Sequence, residues 1–200
     1  MKKLLPLFLI VLFSNLSFGQ KIVSGEYDSG MKLSYDVSSK TLTGYFESYT
    51  GLDEETQNPR FSCIFYIEGK VTGNKIAIKT YYPEDKTDDL ILGTIQIINN
   101  KTIKISLPNE HGGCWNVQHF ADKPEQFNLE KKSNWIQIRY IKKEKSFFYK
   151  EQSSTAPSKT YLLKGDFVCI DKIENGKAFC TYFGKKISTG WINLTDLNSI

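Results

Sequence analysis

Beyond Phe18 the 200-residue chain has no apolar run long enough to cross a membrane as a helix, which excludes a helical membrane protein. It also lacks a sustained 3.6-residue apolar period, so helix is expected to be nearly absent. Neither sign of charge is in excess: 26 Lys and Arg stand against 22 Asp and Glu. Lys2 and Lys3 account for half of that small surplus, and so weak a balance makes nucleic acid an unsuitable partner. Histidine occurs only at positions 111 and 119, which leaves few ways to build a metal or nucleophile centre. No phosphate-cradling or cofactor motif is present, and no cofactor is expected. What the chain does have is 40% apolar and 14% aromatic residues, the composition of an ordinary globular protein.

The one long apolar run, Leu4 to Phe18, follows two lysines and ends in the small residues Ser17 and Gly19, the pattern of a secretory signal cut before Gln20. Residues 1–19 are therefore set aside as a signal peptide, and the product is expected to be exported, periplasmic or extracellular, and soluble. Residue 20 is Gln and not Cys, so no thiol follows the cut to carry a lipid anchor. Export makes the four cysteines, Cys63, Cys114, Cys169 and Cys180, candidates for two disulfides.

From Ile22 onward apolar residues fall at every second position, with turn formers between the runs. Met31 to Val37, Leu42 to Phe46, Phe61 to Ile67, Ile76 to Tyr82, Ile91 to Ile97 and Ile103 to Leu107 all read as antiparallel strands. A meander of hairpins with one apolar face must close or stack to bury it, so the fold class is all-β: an antiparallel meander or lipocalin-like barrel. The stretch Pro108 to Asn128 interrupts the pattern, and Trp135 to Ile141 is expected to resume the meander. The polar break Lys142 to Lys145 then divides a first domain, 20–141, from a second, 142–200, and the two are expected to fold separately. The first carries 14 basic and 16 acidic side chains, the second 10 and 6.

In the second part, Lys164-Gly165-Asp166-Phe167-Val168, a hairpin at Asn175-Gly176 and the strand Gly190-Trp191-Ile192 resemble the bacterial SH3-like domain over about sixty residues. The resemblance implies a small five-stranded barrel that binds cell-wall peptides or protein partners. This chain has Phe179 where the family usually has a Trp in the second hairpin strand. The leader, too, resembles those of bacterial envelope proteins. Exposed tyrosines Tyr149, Tyr161 and Tyr182 are the candidate binding residues, since a tyrosine offers an apolar face and a polar tip at modest entropy cost. Trp191 is expected to pack inside the module.

Asn-Gly is the preferred type I′ hairpin pair, and the register it sets places Asp171 opposite Cys180 and puts Cys169 and Cys180 diagonally on one face. That spacing admits a disulfide or two buried thiols. Cys114 lies in a dense polar cluster with His111 and His119. As a thiolate nucleophile it lacks the helix start and downstream histidine of cell-wall cysteine peptidases, and as a metal site it lacks a fourth ligand. The preferred reading pairs Cys114 with Cys63, lets Gly112-Gly113 approach the strand, and packs Trp115 over the sulfurs. The acidic groups at Asp53 to Glu55 and at Glu84 to Asp89 read as solvated loops. Tyr45, Phe46 and Tyr49, or Tyr81 and Tyr82, are candidates for a ligand cavity, although adjacent ones must point to opposite faces. Ser24-Gly25-Glu26-Tyr27 is one residue shorter than the Ser-Gly-x-x-Tyr loop of bacterial lysozyme inhibitors and carries no assignment. The expected function is therefore non-enzymatic binding of a peptidoglycan peptide or an envelope protein. The competing classes are a small-molecule carrier using the barrel interior and a hydrolase built on Cys114.

Overall fold

The computed structural model describes residues 21–200, so the expected leader at 1–19 lies outside the described residues. Eight antiparallel strands close into a barrel: β1 (Gly25–Tyr27), β2 (Met31–Asp36), β3 (Thr41–Leu52), β4 (Pro59–Lys70), β5 (Lys75–Tyr81), β6 (Ile91–Asn99), β7 (Thr102–Ser106) and β8 (Glu125–Lys132). Each strand pairs with its sequence neighbours, and β1 returns to β8 with Gly25 opposite Lys132. The alternation places Met31, Leu33, Leu42, Phe46, Phe65, Ile67, Ile76, Ile95 and Ile105 inside. An eight-stranded barrel is narrow enough for side chains to fill. Here Phe46, Phe65, Phe120 and Phe127 do so, with ring centroids 5.0 to 6.0 Å apart.

Two expectations about the barrel's closure need correction. The closing strand is Glu125–Lys132, which begins inside the stretch read as an interruption, and not Trp135 to Ile141. Only Phe127 and Leu129 alternate in it, because its other face is wet. The second half of the chain forms β9 (Gln137–Tyr140), β10 (Lys145–Phe147), β11 (Tyr161–Leu163), β12 (Phe167–Glu174), β13 (Lys177–Phe183) and β14 (Ile187–Asn193). Strand β9 pairs with β12, so the sheet order is β14-β13-β12-β9, with β10 and β11 a separate ribbon. The break between the two units thus falls near 133–136 and not at 142. The lysine run expected to be a linker is instead bonded to the C-terminal turn. Lys142 N–H donates to the Asp196 carbonyl at 2.9 Å, Lys143 Nζ lies 3.2 Å from the Asp196 carboxylate, and the Ser146 hydroxyl donates to it at 2.8 Å.

The units meet over an aromatic interface. Tyr45, Tyr66 and Tyr81 stand side by side on the outer wall of β3, β4 and β5 and pack on Trp135, Ile138, Tyr140, Phe167 and Cys169. The free edge of β9 is satisfied across this seam: the Tyr66 hydroxyl donates to the Ile138 carbonyl at 2.7 Å, and Ile138 N–H donates to Thr43 Oγ1 at 2.7 Å. An unpaired edge is thereby covered by the barrel.

Candidate functional site

The expected Cys63–Cys114 disulfide is present and ties the β7–β8 loop to β4. Gly113 makes the approach possible. Its φ of +83° is open to glycine, and a side chain there would collide with the Ser62 carbonyl. Trp115 does not cover the sulfurs; it is 61% exposed and stands edge-on to His119.

Cys169 and Cys180 are buried thiols, not a second disulfide. The Asn175-Gly176 turn forms as expected, with φ of +46° and +76°, but a bulge at Asp171 brings Ile170 opposite Cys180. One inserted residue turns every later side chain to the other face. Cys169 therefore faces the barrel seam and Cys180 faces the second module's core, beside Ile141, Phe148 and Ile192.

The polar cluster around Cys114 does not converge. His119 is half-exposed beside Asp122. His111 is buried and stacked on Phe65, its Nδ1 2.7 Å from Asp89 and its Nε2 2.8 Å from Thr80 Oγ1. Nδ1–H donates to Asp89, while Nε2 meets a Thr80 hydroxyl whose single proton is also within reach of the Ile91 carbonyl at 3.1 Å. Burial pushes the imidazole below its ordinary value near 6.5, against the upward pull of Asp89 and Glu110. The unfolded chain therefore takes up a proton at this residue before the folded one does. Stability should fall as pH drops below about 6.5, by no more than about 1.4 kcal/mol per pH unit from this group. Urea melts at pH 7.5 and 5.5 test this, and the pH 5.5 penalty should shrink in His111→Gln. Equal penalties in both proteins would mean that another group titrates.

The three candidate tyrosines do not share a surface. Tyr149 pairs its backbone with Trp191 and lies under Lys177, whose Nζ is 4.0 Å from the ring. Tyr161 is exposed on the β10–β11 ribbon beside Phe147, with Lys145 Nζ 3.6 Å above it. Trp191 is buried against its cross-strand partner Phe179, beneath Lys172.

Tyr182 alone enters a cleft. Strands β3 and β4 run twelve residues each and extend past the body of the barrel, so their outer wall faces the end of β13 and the start of β12. Between them lies a slot of about 170 Å³ lined by Tyr45, Glu47, Tyr49, Tyr82, Asp166 and Tyr182 among others. It adjoins a wider groove of about 700 Å³ between Leu52 and Pro59 on one side and Phe183 to Lys185 on the other, and Glu47, Tyr49 and Tyr182 line both. The Tyr49 hydroxyl donates to Glu47 and the Tyr182 hydroxyl donates to Asp166 at 3.3 Å. Burial, then the Asp166 charge, pushes the Tyr182 phenol up to about 12. Tyr45 is only 2% exposed and stacks on Phe167 at 4.4 Å. Its hydroxyl makes no hydrogen bond among the described residues and is not sealed from solvent, and the residue lines the slot. Phe46, by contrast, is in the barrel core, as alternation requires.

Tyr45, Tyr49 and Tyr82 carried a sequence signal as possible cavity residues. Glu47 carried none, Asp166 stood out only within the Lys164-Gly165-Asp166 run of the SH3-like resemblance, and nothing paired the two because more than a hundred residues separate them. Among the described residues no helix is long and apolar enough to cross a membrane. No family model, curated protein or solved structure matches the chain.

Proposed function

We propose that this is a non-enzymatic, exported envelope protein that recognises a peptide of the cell wall or of an envelope protein. The observation that carries this reading is the cleft between its two β units. Exposed ring faces of Tyr49 and Tyr82, half-buried Tyr182 and Phe183, and two carboxylates line it. Aromatic rings with polar tips in a concave site are what peptide recognition requires. The SH3-like resemblance of the C-terminal part and the signal-like leader support the same class. Two observations favour this reading over its competitors: four phenylalanine rings pack in the barrel interior, and Cys114 is held in a disulfide.

Co-sedimentation of the purified protein with sacculi, in parallel with retention of solubilised envelope peptides, tests the reading. Tyr182→Ala and Tyr49→Ala should each weaken capture by about 1–2 kcal/mol, roughly 5- to 30-fold, with the melting temperature nearly unchanged in Tyr49→Ala; Tyr182→Ala also removes a ring packed on the second unit's core, so its capture is compared at a temperature where its melt shows it folded. Loss of capture in Tyr161→Ala or Tyr149→Ala instead would move recognition to the outer face of the second unit. Capture by neither arm would end the proposal.

A further inference from the structure

The slot has a polarity more specific than the cleft as a whole. Two carboxylates face it from opposite units, Glu47 from the barrel and Asp166 from the turn before β12. Each accepts one tyrosine hydroxyl, and Asp166 also takes the Leu163 N–H at 2.7 Å. Among the described residues neither carboxylate has an ion-pair partner, although Lys164 is a lining residue: its Nζ is drawn out to Glu144 at 3.3 Å. Lys185 borders the wider groove and not the slot.

The walls are rings, and ring faces of this protein already hold ammonium groups. Lys32 Nζ lies 5.4 Å from the Tyr45 ring and 5.0 Å from Phe183, and Lys86 Nζ lies 4.7 Å from Tyr81. Tyr45 also lines the slot, on a side chain almost wholly buried whose hydroxyl is unpartnered among the described residues. Two carboxylates alone would be only a charged patch. An almost wholly buried tyrosine whose unpartnered hydroxyl still meets solvent marks the slot as shaped for a ligand that brings a hydrogen-bond partner of its own.

We infer that the slot receives the ammonium-bearing side chain of an extended peptide, with the peptide's neighbouring residues lying along the wider groove. The volume supports this division: about 170 Å³ suits one aliphatic stem with its terminal ammonium, and about 700 Å³ suits a few residues more. The ammonium would donate to Glu47 and Asp166 and to the Tyr45 oxygen, three acceptors for three N–H bonds. The inference rests on the peptide-binding reading above and names the ligand group that reading leaves open.

The test is an NMR titration of the purified protein with a blocked Gly-Lys-Gly tripeptide, the same peptide with Nε-acetyl-lysine, and cadaverine as a free diamine. The lysine peptide should perturb the Tyr45, Glu47, Asp166 and Tyr182 amides and saturate. Acetylation should weaken it by about tenfold or more, as should Glu47→Gln combined with Asp166→Asn, whose melts must match the parent. Tyr45→Phe should cost about threefold. Equal affinity for the acetylated peptide, or perturbations confined to another face, would overturn the inference, and cadaverine binding as tightly as the peptide would overturn its peptide component. If the lysine peptide fails while sacculus or envelope-peptide capture still depends on Tyr49 and Tyr182, the ammonium assignment falls and the binding reading stands. If capture does not depend on those tyrosines, the binding reading itself falls.

Discussion

Replacing Cys63 and Cys114 together by Ala is expected to lower stability by about 4 kcal/mol. The bond joins residues 51 apart in sequence, and removing that crosslink returns the loop's closure entropy to the unfolded chain. The loss should exceed what the two small side chains contribute to packing, because the bond also holds the β7–β8 loop against the barrel. His111 and Phe120, both buried, belong to that loop. Denaturant melts with and without reductant measure it: the parent should lose the same increment on reduction, and the double variant should be insensitive to reductant. Labelling of the unreduced, denatured protein should find two thiols per chain, Cys169 and Cys180. Four would show that the bond does not form, and none would show that the bulge at Asp171 does not keep the second pair apart.

Tyr66→Ala should cost about 3–5 kcal/mol, the range for deleting a buried aromatic side chain. Tyr66 is fully buried on the outside of the barrel, at the centre of the seam between Tyr45 and Tyr81, with its ring 5.2 Å from Tyr140. Its loss also leaves the Ile138 carbonyl without the hydroxyl that satisfies it. Tyr66→Phe isolates that part and should cost about 1–2 kcal/mol. Trp135 lies in the same seam, so in a Trp115→Phe, Trp191→Phe background the fluorescence reports on the interface while far-ultraviolet circular dichroism reports on the whole. In the parent both signals should follow one transition. In Tyr66→Ala the Trp135 signal should change first, as the second unit separates from a barrel that remains folded. Coincident transitions in the variant would mean that the seam is not what couples the units.

That coupling was hidden because the sequence signal for a strand is blind to its partner. Trp135 to Ile141 alternates more clearly than Glu125 to Lys132, and on periodicity it is the better closing strand. Its apolar residues instead serve a seam and the second module's core, while β8 needs few because one face of it meets water. A tyrosine on an outward position, such as Tyr45, Tyr66 or Tyr81, reads as surface until something is known to cover it. The pairing of Glu47 with Asp166 across the candidate slot was equally illegible, since each looks like any solvated loop or strand-edge charge until the units meet. The Asp171 bulge has no composition of its own, and it alone decides which way Cys180 points.

Local chemistry, read along the chain, determined the parts of this protein that depend on near neighbours. Period-two alternation set the all-β class and most of the inward-facing residues, Asn175-Gly176 set its hairpin turn, and an inward cysteine next to a glycine-rich loop carrying another set the Cys63–Cys114 bond. Tertiary structure decided what depends on which surfaces meet. It chose β8 over β9 to close the barrel, assigned Cys169 and Cys180 to different faces, filled the barrel with phenylalanine rings, and opened the cleft at the seam. The physical reason is that a strand's pattern records only whether each face is wet or dry, and a dry outer face is equally satisfied by a core, a second domain or a ligand.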